Sequence, residues 1–490
     1  MNTWQNNLKA WEKQPFLKRL FLKFPKAEAY LVGGAVRDAI LGRETKDFDL
    51  VIRQVAKNDL EKFLATQGKV NLVGKHFGVY KFRPRNWTGE EIDIALPRTE
   101  YSLNQSGAYR DFKIKSQANL KIEDDLSRRD FTINAMAWDI KNKKIIDPFF
   151  GQSDLQQKII RTVGRPELRF KEDYSRLLRA LRFSCQLSRE PAAWEIETTA
   201  WTAIKKNIKN LDKKIDGQRI VAYEVIAKEL VKMVVSNPIW AIELLDQCGA
   251  IKILFPQLLK SKNCPQPKIY HSEGDVWEHM ILAIQTLFTK DFKKEFKKPA
   301  SQEVIWAVIF HDIGKPFTLT MADRIRFNNH DVYSTNLFGQ LSDKLKLTSA
   351  GLDVDKVKKL INKHMLTVQS QVLAMKDVTL EKYFFNPQFP GDELLMVMFA
   401  DITATVPPSG QPDYSSYRIL KKRLARLGKA NKNKKTLPKP LVTGGDLIKK
   451  FKLNSSPKIG DLLLILREAQ LKGKIKTKAQ GLLFIKKHIK

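Results

Sequence analysis

A chain of 490 residues exceeds one ordinary hydrophobic core and predicts about three domains. An apolar content of 43% excludes a disordered chain, and three cysteines without paired spacing (Cys185, Cys248, Cys264) argue against a disulfide framework and for a reducing cytoplasm. The net charge of +33 predicts a polyanionic partner, nucleic acid or an anionic surface, while the lack of an apolar run of transmembrane length or a signal-peptide pattern argues against a membrane protein.

Residues 1–28 mix Trp4, Trp11, Phe16 and Phe21 with lysines and predict an amphipathic helix ending near Pro25. Tyr30–Ile52 follows as strand, Gly33-Gly34 turn, short helix and second strand. Residues two apart on a strand share a face, so Asp47 and Asp49 project together beside a turn whose bare backbone can approach a phosphate. Paired carboxylates at a phosphate cradle suit divalent-metal phosphoryl or nucleotidyl transfer; taken alone, Asp-x-Asp is equally surface decoration.

Asn58–Gln67 reads as helix, and strands are predicted at 70–73, 79–82 and 91–95, the last placing Asp93. Three carboxylates from two strands repel unless a cation sits between them, and Mg²⁺ suits all-oxygen ligands. Residues 97–116 lack periodicity and read as a mobile loop. Arg128-Arg129-Asp130 leads into a strand, with a hairpin return at 145–147 closing a mixed head near residue 150. Arg37, the Gly33-Gly34 amides, Arg128 and Arg129 suit a triphosphate, and Asp130 suits a ribose hydroxyl.

From Leu155 the periodicity is helical. Glu172–Leu187 reads as one helix on which Glu172, Asp173 and Arg176 share a face. That spacing serves equally for surface ion pairs. Functionally, a carboxylate accepts from the exocyclic amine of cytosine or adenine while a guanidinium donates to the adjacent ring nitrogen, so uracil and guanine are rejected. Arg179 and Arg182 continue this helix as further candidate nucleotide ligands. Further helices are predicted at 218–235 and 241–254, a boundary at the prolines of 255–268, and helices again at 276–288 and 303–310. Lys429–Lys435 reads as a solvated linker before a basic helical tail.

The motifs together resemble the class II tRNA nucleotidyltransferases, the CCA-adding enzymes, with their bacterial poly(A) polymerase relatives. They are Gly33-Gly34-Ala35-Val36-Arg37-Asp38, Asp47-Phe48-Asp49, the strand at Asp93, Arg128-Arg129-Asp130-Phe131-Thr132-Ile133-Asn134-Ala135-Met136 and Glu172-Asp173-x-x-Arg176. Gln218-Arg219 resembles the family's Glu-Arg pair with Gln218 departing from it. The resemblance implies an α+β fold with catalytic Asp47, Asp49 and Asp93, the first two binding Mg²⁺. It further implies Asp130 reading the ribose, Asn134 among the nucleotide ligands, and Asp173 with Arg176 as the protein template for CTP and ATP. It makes 97–116 the loop used in switching from C to A, and Gly74–Gly78 closer to the CCA-adding branch.

Of seven histidines, five fall between 271 and 364. His279, His311-Asp312 and Asp401, with His330 and His364 as further candidates, resemble the ordered ligands of the HD phosphohydrolase superfamily, which hold a metal, here a candidate transition metal. Similar nucleotidyltransferases carry an active HD domain with phosphatase and 2′,3′-cyclic phosphodiesterase activity, or keep only the fold as a helical RNA-binding body. The implied division is a catalytic head at 1–150, a helical neck at 151–255, an HD-type domain at 256–428 and a basic tail at 429–490. The expected partners are the tRNA 3′ end, CTP and ATP in the cytoplasm, with no membrane and the oligomeric state open. A poly(A) polymerase, a CC- or A-adding enzyme, a phosphohydrolase with a vestigial head and a non-enzymatic RNA-binding protein remain as alternatives.

Overall fold

The computed structural model describes residues 8, 10–45, 47–73, 79–102, 112–188, 194–367, 369–429 and 437–489. Gly74–Gly78, the centre of the 97–116 segment and most of Lys429–Lys435 lie outside the described residues. The chain forms two units, Met1–Leu254 and Phe255–Lys490.

The first unit is built on a seven-stranded sheet. Its strands are β1 (Glu28–Val32), β2 (Phe48–Arg53), β3 (Gly68–Val73), β4 (Val79–Pro84) and β5 (Ile92–Ala95), with Ala137–Asp139 and Lys144–Ile146 completing it. The spatial order is β3-β4-β5-β2-β1, then Ala137–Asp139 and Lys144–Ile146. Only β2 and β5 run parallel; the other neighbours are antiparallel. Tyr30, Val32 and Val51 pack with Ile122, Leu126, Ala135 and Ala137 into the core beneath the opening motif.

Several local expectations change. Among the described residues the N-terminal stretch is broken: Ala10–Lys13 is a 3₁₀ turn and α1 spans Pro15–Lys23. Pro15 lacks the N–H that would continue the preceding turn, so it opens a new helix. The 97–116 segment is not an aperiodic loop throughout. Arg98–Ser102 (β6) pairs antiparallel with Phe112–Ser116 (β7), from Arg98 opposite Ser116 to Ser102 opposite Phe112. Thr99 and Tyr101, like Phe112 and Ile114, alternate with polar residues, a period-2 signal obscured by the polar stretch between them.

The 172–187 helix is two helices. α2 (Pro166–Glu172) stops at Asp173, whose backbone is extended (φ −151°, ψ 106°), and α3 spans Ser175–Leu187. Asp173 Oδ1 accepts from the Ser175 amide at 2.8 Å, so the side chain takes a backbone donor and turns the chain. Residues 218–222 likewise leave the predicted helix. Asp216 and Gly217, with φ of 50° and 75°, close a two-residue hairpin between Lys214–Ile215 and Gln218–Arg219, and α4 begins at Tyr223 and ends at Ser236.

The second unit is helical. α5 (Val276–Thr286), α6 (Gln302–Phe310), α7 (His330–Leu345), α8 (Val354–Lys363) and α9 (Gly391–Ala404) form its body. α5 opens on a reciprocal capping box between Asp275 and Glu278, and Ser301 caps α6. α6 is buried from Glu303 to Phe310, so the chain emerges at His311-Asp312 from the middle of the body. The tail packs Val442, Leu447, Ile459, Leu462 and Leu466 into a small core of its own.

Candidate active site and histidine centre

The β2–β5 register brings the head carboxylates together. Asp49 stands directly opposite Asp93, and Asp47 lies just ahead of β2 on the same alternation. Asp47 is exposed; Asp49 and Asp93 are half-buried. Burial pushes the Asp49 carboxyl up most, Arg129 opposes it, and Asp47 and Asp93 push further, to about 6. Lys81 Nζ lies 3.1 Å from Asp93 Oδ1. Close carboxylates with a strained negative charge and oxygen-only donors fit a hard divalent cation such as Mg²⁺.

Gly33 faces this group with φ 70°, a conformation that disfavours a Cβ. A Cβ there would also fall 2.7 Å from Arg129 Nη1 and 3.6 Å from Asp49 Oδ2, so the missing side chain makes room for the Arg129 guanidinium beside Asp49. Of the paired arginines, Arg128 instead donates to Asp125 Oδ1 at 2.9 and 3.0 Å. The Gly33 amide donates to Met136 O at 3.3 Å. Arg37 is buried and held by Asp38 (2.9 and 3.0 Å) and by Asn134 Oδ1 (2.8 Å).

Asn134 also donates to Asp130 Oδ1 at 3.4 Å, and Asp130 Oδ2 accepts from Arg179 Nε at 2.7 Å. Burial raises the Asp130 carboxyl, but the Arg179 charge and hydrogen bonds outweigh it and bring it down to about 2. Glu229, on α4, pairs with Arg182 and lies 4.0 Å from Arg179. Arg37, Arg179 and Arg182 all lie over the Phe183 ring, at 5.3, 5.6 and 4.0 Å. A continuous polar chain therefore runs from the opening motif to the neck.

At the α2–α3 break, Glu172 Oε2 accepts from Arg176 Nη1 at 2.6 Å and from Arg169 Nη1 at 3.0 Å. Arg176 Nη1 also donates to the Arg169 carbonyl at 3.1 Å. Glu172 thus clamps two arginines, while the buried Asp173 keeps one carboxylate oxygen on the Ser175 amide.

In the second unit, α5 supplies His279, the turn after α6 supplies His311 and Asp312, α7 opens on His330, His364 follows α8, and α9 carries Asp401. His279, His311 and Asp401 place one ligand atom each within 4.8 Å of one another, and so do Asp312, His330 and His364. His279 Nε2 lies 3.1 Å from Asp401 Oδ1, and His311 Nε2 lies 3.3 Å from Asp312 Oδ2. Burial disfavours charge on His311, but Asp312 and Asp401 outweigh it and raise the ring to about 10. Lys315 Nζ is 2.6 Å from Asp312 Oδ2 and donates to Gln266 Oε1 at 2.8 Å. Imidazole and carboxylate donors of this kind suit a first-row transition metal.

Residues 29–161 match the family model of the poly A polymerase head domain. Over 321 residues the chain is 35% identical to the multifunctional CCA protein of Neisseria gonorrhoeae, covering 65% of this chain and 70% of that one. The chain belongs to the class II tRNA nucleotidyltransferase family. It is 27% identical over 469 residues to the A-adding tRNA nucleotidyltransferase of Deinococcus radiodurans, covering 95% and 96% of the two chains. Its matches to multifunctional CCA proteins span 63% to 71% of their length. The Bacillus stearothermophilus CCA-adding enzyme in complex with CTP has the same fold, with TM-score 0.59, 22% identity and 97% and 99% coverage. Nucleotidyltransferases of this family depend on a metal, generally Mg²⁺.

In this nucleotidyltransferase, the structure gathers Asp47, Asp49, Asp93, Gly33 and Arg129 in the head and links Arg37, Asn134, Asp130 and Arg179 into one polar chain. Arg128 turns to Asp125 instead. Sequence reasoning passed over Arg169, Glu229 and Phe183. Glu229 had a faint signal, a carboxylate one turn from Ile226 and Met233 on the apolar face of α4. Among the described residues no helix is long and apolar enough to cross a membrane.

Proposed function

We propose that this chain adds C, C and A from CTP and ATP to the 3′ end of tRNA without a nucleic-acid template. The observation that carries this reading is the pairing of Asp49 with Asp93 in the β2–β5 register, with Asp47 ahead of it and Arg129 against Gly33. Asp47 and Asp49 would hold Mg²⁺, which supplies charge neutralisation at the reacting phosphate. Asp93 adds the third catalytic carboxylate, and Lys81 holds its side chain in place. Arg129 would hold the triphosphate with Gly34 and Arg37, and Arg128 would support it through Asp125, which both arginines contact. Asp130, oriented by Asn134 and Arg179, reads the ribose. Glu172 orients Arg176, and Asp173 with Arg176 selects cytosine and adenine; Arg182 supports the set through Glu229.

The head is residues 1–150 and the neck 151–255. The +33 charge matches backbone contacts to a folded RNA, and the cytoplasm is the expected compartment. Residues 256–428 form an HD-type domain, with His279, His311, Asp312 and Asp401 holding a transition metal for phosphoester hydrolysis, followed by the tail at 429–490.

A second reading is A addition alone, because the Deinococcus radiodurans A-adding enzyme aligns with nearly the whole chain. Incubation of tRNA lacking its 3′ CCA with CTP and ATP, separately and together, decides by product length. Three added nucleotides support the first reading. Addition only to tRNA ending in CC supports the second, and no addition to either overturns both.

A further inference from the structure

We infer that Asp125 is a positioning residue that couples triphosphate binding at Arg129 to the order of the β6–β7 hairpin. The inference rests on the nucleotidyl-transfer reading of the head and deepens it. Its starting point is how one buried carboxylate is shared. Asp125 lies on the short helix Ile122–Ser127, whose Ile122 and Leu126 pack into the core beneath the opening motif. Its Oδ1 accepts from the Arg98 amide at 3.2 Å and from Arg128 Nε and Nη2 at 3.0 and 2.9 Å, and its Oδ2 accepts from Arg129 Nη2 at 3.5 Å. The root of a hairpin and two arginines therefore meet on one side chain.

Both legs of the hairpin are rooted in the carboxylate site. The first leaves β5, the strand of Asp93, through the buried Leu96 and then Pro97, and opens β6 at Arg98, opposite Ser116. The second returns at Gln117, whose amide donates to Pro97 O at 3.0 Å. Ala118 O then accepts from the Gln54 amide at 2.8 Å, directly after β2, the strand of Asp49. Burial pushes the Asp125 carboxyl up, but Arg128 and Arg129 outweigh it and hold it below the usual carboxylate range. The group that takes the Arg98 amide is therefore charged, and a bond from a backbone N–H to a carboxylate is stronger than one between neutral groups.

The two arginines are held unequally. Arg128 makes two short bonds to the carboxylate. Arg129 makes long ones, 3.5 Å to Asp125 Oδ2 and 3.4 Å to Asn134 O, and its Nε is buried without a hydrogen-bond partner. A buried guanidinium N–H left unpaired is costly, so Arg129 is the one of the two that gains by turning to an incoming anion. Its Nη1 already stands against Gly33, beside Asp49.

Turning Arg129 onto a triphosphate oxygen takes a positive charge away from Asp125 Oδ2. The carboxylate charge is then left to Arg128 and the Arg98 amide, and its hold on the first residue of β6 tightens. Linkage makes the effect reciprocal, so an ordered hairpin root favours the triphosphate in turn. Asp125 touches no substrate in this scheme and acts through Arg129.

Hydrogen exchange tests this in the full chain, with CTP and Mg²⁺ as the probe and no tRNA, so that nothing is transferred. In wild type, CTP should slow exchange of the β6 and β7 amides by about 5-fold or more, the lower end of ordinary coupling between two sites. Asp125→Asn keeps the shape and loses the charge, so the slowing should vanish and KM for CTP should rise about 5–10-fold, with kcat within about twofold. Arg98→Pro, which removes the amide that Asp125 holds, should lose the slowing, while Arg98→Ala, which keeps that amide, should retain it. This second pair decides if circular dichroism shows that Asp125→Asn does not fold. Slowing retained in either Asp125→Asn or Arg98→Pro would overturn the coupling, as would its absence from wild type at saturating CTP. A fall in kcat with KM unchanged in Asp125→Asn would assign Asp125 a purely structural role and overturn it too. Wild type that responds to CTP yet incorporates nothing into tRNA would overturn the transfer reading and leave the coupling standing.

Discussion

Asp130 and Arg179, 49 residues apart in sequence, share a half-buried ion pair, with the carboxylate inside and the guanidinium partly open, at the junction of the sheet and α3. Asp130 is 8% exposed and receives Arg179, Asn134 and the Phe131 amide together. With the guanidinium partly open to water, which screens it, removing the carboxylate charge costs roughly 1–3 kcal/mol. Asp130→Asn should therefore lower the urea midpoint with little change in slope. The carboxyl lies at about 2 in the fold against an ordinary 3.8. Its contribution is present above the ordinary value and lost as pH falls toward about 2, so wild type and variant should converge there. A gap independent of pH across that window would show that the pair does not carry this stability.

Asp49→Asn should abolish nucleotide incorporation while leaving tRNA affinity intact. In the proposed site its place opposite Asp93 puts it at the reacting phosphate, where removing charge stabilisation costs about 10²–10³-fold or more. Single-turnover incorporation with a gel-shift control measures both, and retained incorporation would remove Asp49 from the metal site.

At Gly33, alanine meets two penalties, a left-handed backbone and a clash with Arg129. Gly33→Ala should cost about 1–2 kcal/mol in stability and raise KM for CTP and ATP as Arg129 shifts. An unchanged KM would mean that Arg129 does not hold the triphosphate.

Glu172 is the shared acceptor of Arg169 and Arg176. Without it the Arg176 guanidinium, proposed to read the base, loses its orientation. In Glu172→Ala, UTP incorporation relative to CTP should rise by about 10-fold or more, the scale of one base contact. Constant rejection of UTP would assign nucleotide choice to other residues.

Glu273 lies behind His279 and accepts from its Nδ1. Glu273→Gln should weaken metal binding at the histidine centre by about 10–100-fold without removing a ligand. Equilibrium dialysis against Co²⁺ reads this, and unchanged affinity would leave Glu273 with its bonds to the His271 ring and the Val406 amide.

Much of the head was legible in the chain because its signals are local. Period-2 alternation placed Asp47 and Asp49 on one face, and the glycine turn sits between two recognisable strands. The order of histidines and aspartates marked the second cluster, though nothing local told which carboxylate faces which ring. Asp173 misled the reading because helical spacing cannot show that an aspartate takes the Ser175 amide and ends the helix.

The sequence by itself determined which carboxylates, arginines and histidines are available and which neighbours in the chain share a face. Only the tertiary structure decided their partners. Asp130 is matched to Arg179, Arg182 to Glu229 and His279 to Asp401 across 49, 47 and 122 residues. Spacing carries no information at such separations. Packing of buried faces brings these groups together, and the cost of burying a charge alone then selects the pairs that persist.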